Sequence, residues 1–164
     1  GTFWDGIEAM GGRKLSPKQS VDALEQAIFD LRDFWKAEGK YDGPKPAHQI
    51  GIWVGAYKPR MLRITGALAD GWVPSQAYLP PEQVPEAMKR VDDAAQAEGR
   101  DPAAIRRIYN LLSDEPPEAE QIVEFGTELG FDSFIFSPGD VHELERIAHD
   151  VLPAVREEMS RRHS

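Results

Sequence analysis

The sequence contains no cysteine in its 164 residues, which excludes disulfide bonds, thiolate metal sites and cysteine nucleophiles. Histidine is scarce too, and no histidine stands at a metal-ligand spacing from a carboxylate partner. The four are His48, His142, His149 and His163. No serine–histidine–acid set and no pair of catalytic carboxylates stands out. We therefore expect no metal site, and the pattern assigns no catalytic residue.

Long apolar runs are also absent. No stretch approaches the roughly 20 apolar residues of a membrane-spanning helix, and no secretory signal opens the sequence. Basic residues are in deficit, with 19 Lys and Arg against 28 Asp and Glu, for a formal net charge of −9. A surface that acidic repels a phosphate backbone. We expect a soluble cytoplasmic protein that binds a small-molecule substrate, and neither nucleic acid nor a membrane.

Apolar residues make up 41% of the chain, enough for a folded domain with its own core. We predict one domain over 1–164, with a loop over 1–14, a helix over 15–38 and four βα units over 48–162. The helix has strong signals: Ser16 as its cap, Pro17 in its first turn and Gln19 completing a capping box. Gly39 is predicted to end it. Its apolar positions recur at helical spacing and predict one buried stripe, namely Val21, Leu24, Ile28, Leu31 and Trp35.

Four strand-like runs follow, each leading into a helical pattern. The runs are 50–54, 71–73, 105–112 and 133–136, and the helices are 59–69, 81–99, 117–129 and a final one that starts at Asp140 and is kinked or interrupted by Pro153. The first run is continuously apolar, as in parallel strands that are buried on both faces. This alternation is typical of an α/β protein with a parallel sheet. It fits half of a (β/α)8 barrel and equally a small open sheet, and spacing alone does not choose.

The best candidate for a binding site is the turn after the first strand. In parallel folds, ligands bind where the carboxyl ends of strands lead into helix N-termini. Gly55 and Ala56 are small enough for backbone N–H groups to approach an anion, and the following helix presents its positive end. Lys58 and Arg60 add cationic donors. A phosphate-binding loop and a plain βα turn with solvated basic residues are equally favoured by the spacing.

Other positions carry weaker signals. The turn Ser137-Pro138-Gly139 also precedes a helix N-terminus, and a capped turn is the favoured interpretation there. Phe3 and Trp4 stand beside the flexible pair Gly11-Gly12, as a pocket wall or as local core. Asp70 and His48 precede strands, so they lie on the stability face of a barrel and are interpreted as structural.

Several motifs, in this order and spacing, resemble the luciferase-like monooxygenase superfamily. The resemblance covers nearly all of the chain and is strongest over Trp53–Arg63 and Leu68–Trp72, the latter containing Ala-Asp-Gly-Trp. The other matching segments are 3–5 with 9–12, which resembles the deazaflavin-using branch, and 98–102, 130–132 and 151–153. Family members commonly place two glycines or Gly-Ser-Gly in the turn, whereas this chain has Ala56 and Tyr57.

The resemblance implies that the chain is the C-terminal half of a (β/α)8 barrel, without the first four strands. It further implies that coenzyme F-420 or FMN is the cofactor and that its phosphate is bound by Gly55, Ala56, Tyr57 and Lys58, with Arg60 nearby. A half-barrel exposes two strand edges, so we expect a homodimer or pairing with a missing N-terminal half.

The implied function is that of a flavin- or deazaflavin-dependent oxidoreductase or monooxygenase. The alternatives are a non-catalytic half-barrel that keeps the fold without turnover, and a different phosphate-binding α/β enzyme that uses the turn at residues 137–139.

Overall fold

The computed structural model describes residues 4–36, 43–112 and 117–162. By its internal contacts the chain divides into two compact units, 1–50 and 51–164. We predicted a single domain over 1–164; the contacts define these two units, and the assignment of domains stays a prediction.

The first unit contains two helices, α1 (Trp4–Ala9) and α2 (Pro17–Trp35). Helix α1 corrects the predicted loop over 1–14: residues 6 and 7 accept hydrogen bonds from the N–H groups of the following turn. Helix α2 starts as predicted, because the Ser16 hydroxyl accepts from the Gln19 N–H while the Gln19 side chain accepts from the Ser16 N–H. The predicted stop at Gly39 lies outside the described residues.

The buried stripe predicted for α2 is only partly right. Ile28 is buried, with 1% of its surface exposed, but Leu31 is 40% exposed. Helical periodicity identifies one apolar face, yet the depth of burial along that face depends on the neighbouring elements.

The second unit repeats strand and helix four times. Its strands are β1 (Trp53–Val54), β2 (Gly71–Trp72), β3 (Arg106–Leu111) and β4 (Ser133–Phe136). Its α-helices are α3 (Pro59–Leu68), α4 (Val84–Ala97), α5 (Ala119–Thr127), α6 (Val141–Arg146) and α7 (Leu152–Arg162), with short 3-10 helices at Pro81–Gln83 and Pro102–Ala104. All four predicted βα units are therefore present.

The strands form one parallel sheet in the order β1-β2-β3-β4. Parallel neighbours in chain order, each pair joined through a helix, are the topology that the alternating pattern predicts. The pairing register places Val54 beside Trp72 and Trp72 beside Arg107, so these side chains share one face. Since strand side chains alternate, Trp53, Gly71 and Arg106 share the other face.

The first of these faces packs against the helices and forms the core of the unit. Trp72 and Tyr109 are fully buried. The ring of Tyr109 stacks on Phe131 with centroids 4.3 Å apart and meets Phe125 of α5 edge-on at 5.3 Å. Its hydroxyl donates to the Leu79 carbonyl oxygen at 2.7 Å, so the buried polar atom is satisfied. Aromatic packing of this kind fixes the helix layer on the sheet.

The opposite face, which we call the open face, bears Trp53, Gly71 and Ile135. Trp53 is 56% exposed and Ile135 is 41% exposed. The ring of Trp53 lies over Gly71, where an added Cβ would come within 2.6 Å of the indole. The prediction that the first strand is buried on both faces was therefore wrong, because one of its faces carries this exposed tryptophan.

Helix ends follow the sequence signals closely. Gly99 and Gly130 adopt φ values of 68° and 74°, the left-handed conformation that ends helices. Asp140 caps α6 by accepting from the Glu143 N–H at 2.8 Å. The interruption expected at Pro153 comes just before it, as a π-helical turn over Ile147–Val151, next to the point where proline removes a backbone donor.

Candidate functional site

The candidate loop joins β1 to α3, and the second strand holds it in place. The backbone N–H of Val73 donates to the Val54 carbonyl oxygen at 3.0 Å, so the hydrogen bonding between β1 and β2 continues to the end of β1. The indole Nε1–H of Trp72 donates to the Ala56 carbonyl oxygen at 2.9 Å. Both atoms of this bond are buried, so the loop is anchored on its inner side by a bond that water does not weaken.

The start of α3 has the features of an anion-binding helix end. Lys58 is the N-cap residue, and its side chain makes no capping hydrogen bond. Pro59 occupies the first turn, where its missing N–H costs nothing. The N–H groups of that turn have no partner within the helix and carry the positive end of its dipole. This arrangement favours phosphate or carboxylate groups.

Aromatic side chains flank the loop on its outer side. The rings of Tyr57 and Tyr78 stack with centroids 5.5 Å apart and an interplanar angle of 13°. The Lys58 ammonium lies 5.2 Å from the Tyr57 centroid, within cation–π range. Beside this stack, a cleft of about 260 Å³ between α3 and α4 is lined by Tyr57, Pro59, Leu62, Leu79, Gln83, Glu86, Ala87 and Arg90.

The structure brings Gly55, Ala56, Tyr57 and Lys58 into one loop, with Arg60 in the first turn of α3. Gly55 is not required by its backbone angles, because its φ is not positive. A single added Cβ would lie 3.4 Å from the Val73 carbonyl oxygen, an ordinary van der Waals contact, whereas a larger, branched side chain would fill the loop further. Ala56 is buried, so any contact that it makes with a ligand is through its backbone.

The second candidate turn, residues 137–139, is closed by its own side chains. The Glu143 carboxylate accepts from the Gly139 N–H at 2.6 Å, and the Asp140 carboxylate caps α6. Two carboxylates thus already lie at this helix end, where a phosphate would meet like charge. The capped-turn interpretation is supported here.

Asp70 has the structural role predicted for it. Its carboxylate accepts from the Ile52 N–H at 2.9 Å and thereby ties the start of β1 to the start of β2. His48, His142 and His149 are exposed. Phe3 lies outside the described residues, so the aromatic wall suggested at the start of the chain stays a prediction.

Three ionisable groups with shifted pKa values, Arg106, Arg107 and Asp132, lie at the amino edge of the sheet, away from the loop. Burial alone would raise the pKa of Asp132, but hydrogen bonds from the Arg106 side chain, the Arg107 N–H and the Ser133 hydroxyl hold that pKa below its usual value. Burial lowers the pKa of Arg107, which nevertheless pairs with Asp92 of α4. We interpret these shifts as products of structural ion pairs.

Two other kinds of feature, a metal-binding cluster and a membrane-spanning helix, are absent from the described residues. Within 4–36, 43–112 and 117–162, no three His, Asp or Glu side chains group so as to hold a metal ion. No helix in the same part of the chain is long and apolar enough to cross a membrane.

Two residues that the sequence did not single out also lie at the carboxyl edge of the sheet. Ser75 follows β2 and forms an isolated parallel bridge with Asn110 near the end of β3. The Oγ of Ser75 and the Oδ1 of Asn110 are buried, with no hydrogen-bond partner among the described residues. The available signal was their position just after or at the end of a strand, which is where ligands bind in parallel folds.

Comparisons with known proteins agree with this architecture. A coenzyme F-420-dependent secondary alcohol dehydrogenase, solved with an F-420–acetone adduct, superposes with a TM-score of 0.72 at 16% identity, covering 91% of this chain and 66% of that one. At that identity the likeness establishes the fold alone. It confirms the prediction that the βα units are part of a (β/α)8 barrel.

Two of the chain's relatives by sequence are named as reductases. The chain is 37% identical over 145 residues to a phthiodiolone/phenolphthiodiolone dimycocerosates ketoreductase of Mycobacterium bovis, covering 84% of this chain and 33% of the relative. It is 28% identical over 110 residues to a 5,10-methylenetetrahydromethanopterin reductase of Methanolobus tindarius, covering 60% and 32%. The chain thus spans about a third of the length of these relatives.

The family assignment comes from the match to a family profile. The profile described as luciferase-like monooxygenase matches residues 20–124, a segment that includes the candidate loop and the Ala-Asp-Gly-Trp run into β2. The chain therefore belongs to the luciferase-like monooxygenase family.

Proposed function

We propose that this chain binds the phosphate of a deazaflavin or flavin cofactor, coenzyme F-420 or FMN, as part of an oxidoreductase. The observation that carries the proposal is the β1–α3 loop: a small-residue turn at a strand's carboxyl end that leads into a helix N-terminus with a cationic N-cap residue. Family membership supports it, as do the ketoreductase and reductase names of the relatives. The F-420-dependent solved enzyme has the same fold.

The residues present fit a phosphate group. Gly55 has only a hydrogen as its side chain, so the space in the loop that a Cβ would occupy is left open. The N–H groups at the start of α3 and the ammonium of Lys58 supply donors and positive charge. Tyr57 departs from the smaller residues usual in such a turn, but its ring is stacked on Tyr78 and its backbone N–H is still able to donate.

In this proposal the protein binds and orients, while a bound flavin or deazaflavin supplies the hydride transfer or monooxygenation chemistry of its ring. The loop fixes one end of the cofactor, and Trp72 keeps the loop rigid through its bond to the Ala56 carbonyl. The open face would then form one wall of the substrate pocket. Carbonyl reduction on a small-molecule substrate is the reaction class that the relatives' names favour.

The proposal is tested by removing the space and the charge of the loop separately. Gly55→Val should reduce affinity for coenzyme F-420 and for FMN in a fluorescence titration, whereas Gly139→Val, in the capped turn, should leave affinity unchanged. If instead Gly139→Val reduces affinity and Gly55→Val does not, the phosphate site is the turn at residues 137–139. Circular dichroism of both variants checks that the fold is kept.

Charge is tested with a matched pair of lysines. Lys58→Gln should weaken cofactor binding and reduce its salt dependence, because one cation near the phosphate is lost. Lys89→Gln removes the same charge from the exposed face of α4, where Lys89 pairs with Asp93 at 2.7 Å. Equal losses in both variants would show a general charge effect and count against the loop.

We also propose that the open face is covered by further strands, supplied either by a second copy of the chain or by an N-terminal half. Trp53 and Ile135 are apolar and exposed on this face, and such surfaces and strand edges favour association. Light scattering of the chain tests this: a monodisperse monomer that stays soluble would contradict both forms of pairing.

A second candidate function is a non-catalytic module that keeps the fold and anion binding but has no turnover. Saturable cofactor binding without substrate reduction would support this alternative.

A further inference from the structure

The bridge between Ser75 and Asn110 places two polar side chains side by side. The backbone around the bridge is fully paired: the Asn110 N–H donates to the Pro74 carbonyl oxygen at 3.0 Å, and the Gln76 N–H donates to the Asn110 carbonyl oxygen at 2.9 Å. Bridge partners in adjacent strands point to the same side of a sheet. The two side chains therefore project together.

The register identifies that side as the open face. Gly71 pairs with Arg106, and Ser75 and Asn110 each follow four residues later (75 − 71 = 110 − 106 = 4), so the register continues without a shift. With alternating side chains, Ser75 shares the face of Gly71 and Trp53. Asn110 also pairs with Ile135, whose side chain is exposed on that face. The pair thus lies on the open face, near its carboxyl edge.

The Oγ of Ser75 and the Oδ1 of Asn110 are both buried without a hydrogen-bond partner among the described residues. A buried polar atom left unpaired destabilises a fold by about 1–3 kcal/mol, so natural sequences rarely keep one without a reason. Arg107 and Arg146 also have one unpaired nitrogen each, but their guanidinium groups are held by Asp92 and Glu118 through other atoms. Ser75 and Asn110, by contrast, are neighbours, and each has a buried oxygen without a hydrogen-bond partner among the described residues.

The chemistry of the pair defines what would satisfy it. The Oδ1 of Asn110 accepts only, and the Oγ of Ser75 accepts or donates. A group that carries a hydroxyl or N–H donor is therefore complementary to both. Strands β2 and β3 lie about 5 and 10 Å from β1 at ordinary strand spacing. A ligand anchored by its phosphate at the β1–α3 loop would reach them with the atoms that follow the phosphate.

We propose that Ser75 and Asn110 form a hydrogen-bonding subsite that binds a hydroxyl or N–H group of the cofactor beyond its phosphate. This inference rests on the proposed function, since it assumes a cofactor anchored at the β1–α3 loop. It assigns the two residues a binding role that the fold itself does not require.

Stability measurements test the part of the proposal that needs no ligand. Ser75→Ala and Asn110→Leu remove the unpaired atoms while nearly keeping the side-chain size, so the melting temperature should stay the same or rise. Ser133→Ala is the matched control on the same sheet: its hydroxyl donates to Asp132 and accepts from Arg106, both at 2.7 Å. Its loss should lower the melting temperature.

Binding measurements test the ligand. Titrations use coenzyme F-420, FMN and inorganic phosphate as separate probes. Each of Ser75→Ala and Asn110→Leu should weaken cofactor binding by about threefold to tenfold, the value of one hydrogen bond. Neither should change the affinity for inorganic phosphate, which reaches only the loop. Ser75→Thr keeps a hydroxyl and should restore binding.

The outcomes separate this inference from the proposed function. If the unsubstituted chain binds neither cofactor, the proposed function fails and the inference fails with it. If it binds a cofactor and both variants bind equally well, only the inference is overturned. Variants that melt several degrees lower would show a structural role and would also overturn it.

Discussion

The contact between α3 and α4 yields the most quantitative prediction, because Gly66 of α3 is pressed against α4. A Cβ added at Gly66 would clash with the Val91 carbonyl oxygen and lie 2.8 Å from the Ala94 Cβ and 3.0 Å from the Ala95 nitrogen. Two of these three atoms belong to the α4 backbone, which cannot rotate away. Gly66→Ala must therefore push the two helices apart.

The expected change in the free energy of unfolding follows from two opposing effects. Alanine is favoured over glycine inside a helix by about 0.8–1 kcal/mol. Overpacking a rigid contact costs about 1–3 kcal/mol or more, and a backbone clash lies at the upper end. The net effect of Gly66→Ala is thus a destabilisation of about 2 kcal/mol, or a fall in melting temperature of about 4–8 °C for a chain of this size.

Gly126 in α5 provides the matched control. An added Cβ there would meet only the Phe131 carbonyl oxygen at 3.6 Å, an ordinary van der Waals distance. Gly126→Ala should therefore stabilise by about 0.5–1 kcal/mol through helix propensity alone. Urea unfolding followed by tryptophan fluorescence and circular dichroism measures both variants. A Gly66→Ala variant as stable as the unsubstituted chain would refute the close packing of α3 on α4.

Three further predictions concern single side chains. Trp72→Phe removes the donor to the buried Ala56 carbonyl oxygen, so the free energy of unfolding should fall by about 1–3 kcal/mol, and cofactor affinity should fall with it. Urea unfolding and a cofactor titration measure the two effects. If neither value changes, this hydrogen bond does not anchor the loop. Burial raises the pKa of Tyr109 to about 12 from 10.0. The folded state therefore keeps this proton to a higher pH than the unfolded state, and the free energy of unfolding should drop by about 2 kcal/mol between pH 10 and pH 12. The Tyr109→Phe variant should lack that alkaline drop, as measured by urea unfolding at each pH. In the folded state the pKa of Asp132 is below its usual value of 3.8. The ionised carboxylate therefore stabilises the fold fully above pH 3.8, and this stabilisation is lost as the pH falls through the lower pKa of the folded state. Asp132→Asn should make the free energy of unfolding less dependent on pH in this acid range. An acid-unfolding midpoint equal to that of the unsubstituted chain would contradict this prediction.

The sequence predicted the repeating βα units because its signals are local. Glycines at Gly99 and Gly130 and the capping set at Ser16 act over a few residues, so element order could be predicted without tertiary information. The run 133–136 was assigned correctly to the residue. The choice between a half-barrel and an open sheet required the family resemblance, and the superposition supports the barrel.

What the sequence could not provide depends on contacts between distant residues. Trp53 was predicted to be buried because its run is apolar, yet its face of the sheet is open. The rings of Tyr57 and Tyr78 stack although the two residues belong to different loops, so no local sequence pattern predicts this contact. The same holds for the unpaired atoms of Ser75 and Asn110, which become visible only once the register between β2 and β3 is known.

Trp72 illustrates how a motif acquires a physical meaning from the structure. In the sequence it is the last residue of an Ala-Asp-Gly-Trp run that supports a resemblance. In the structure its ring fills the core and its Nε1–H holds the loop at Ala56. Asp70 and Gly71 of the same run tie β1 to β2 and make room for Trp53. The run therefore shapes the site without needing to touch a ligand.

The most direct test of the central claim is a fluorescence titration of the purified chain with coenzyme F-420 and, separately, with FMN, with the molecular mass in solution measured alongside. We expect saturable binding of one of the two cofactors by an associated form of the chain, and loss of that binding in Gly55→Val. Absence of binding to either cofactor, even at high micromolar concentration, would contradict it.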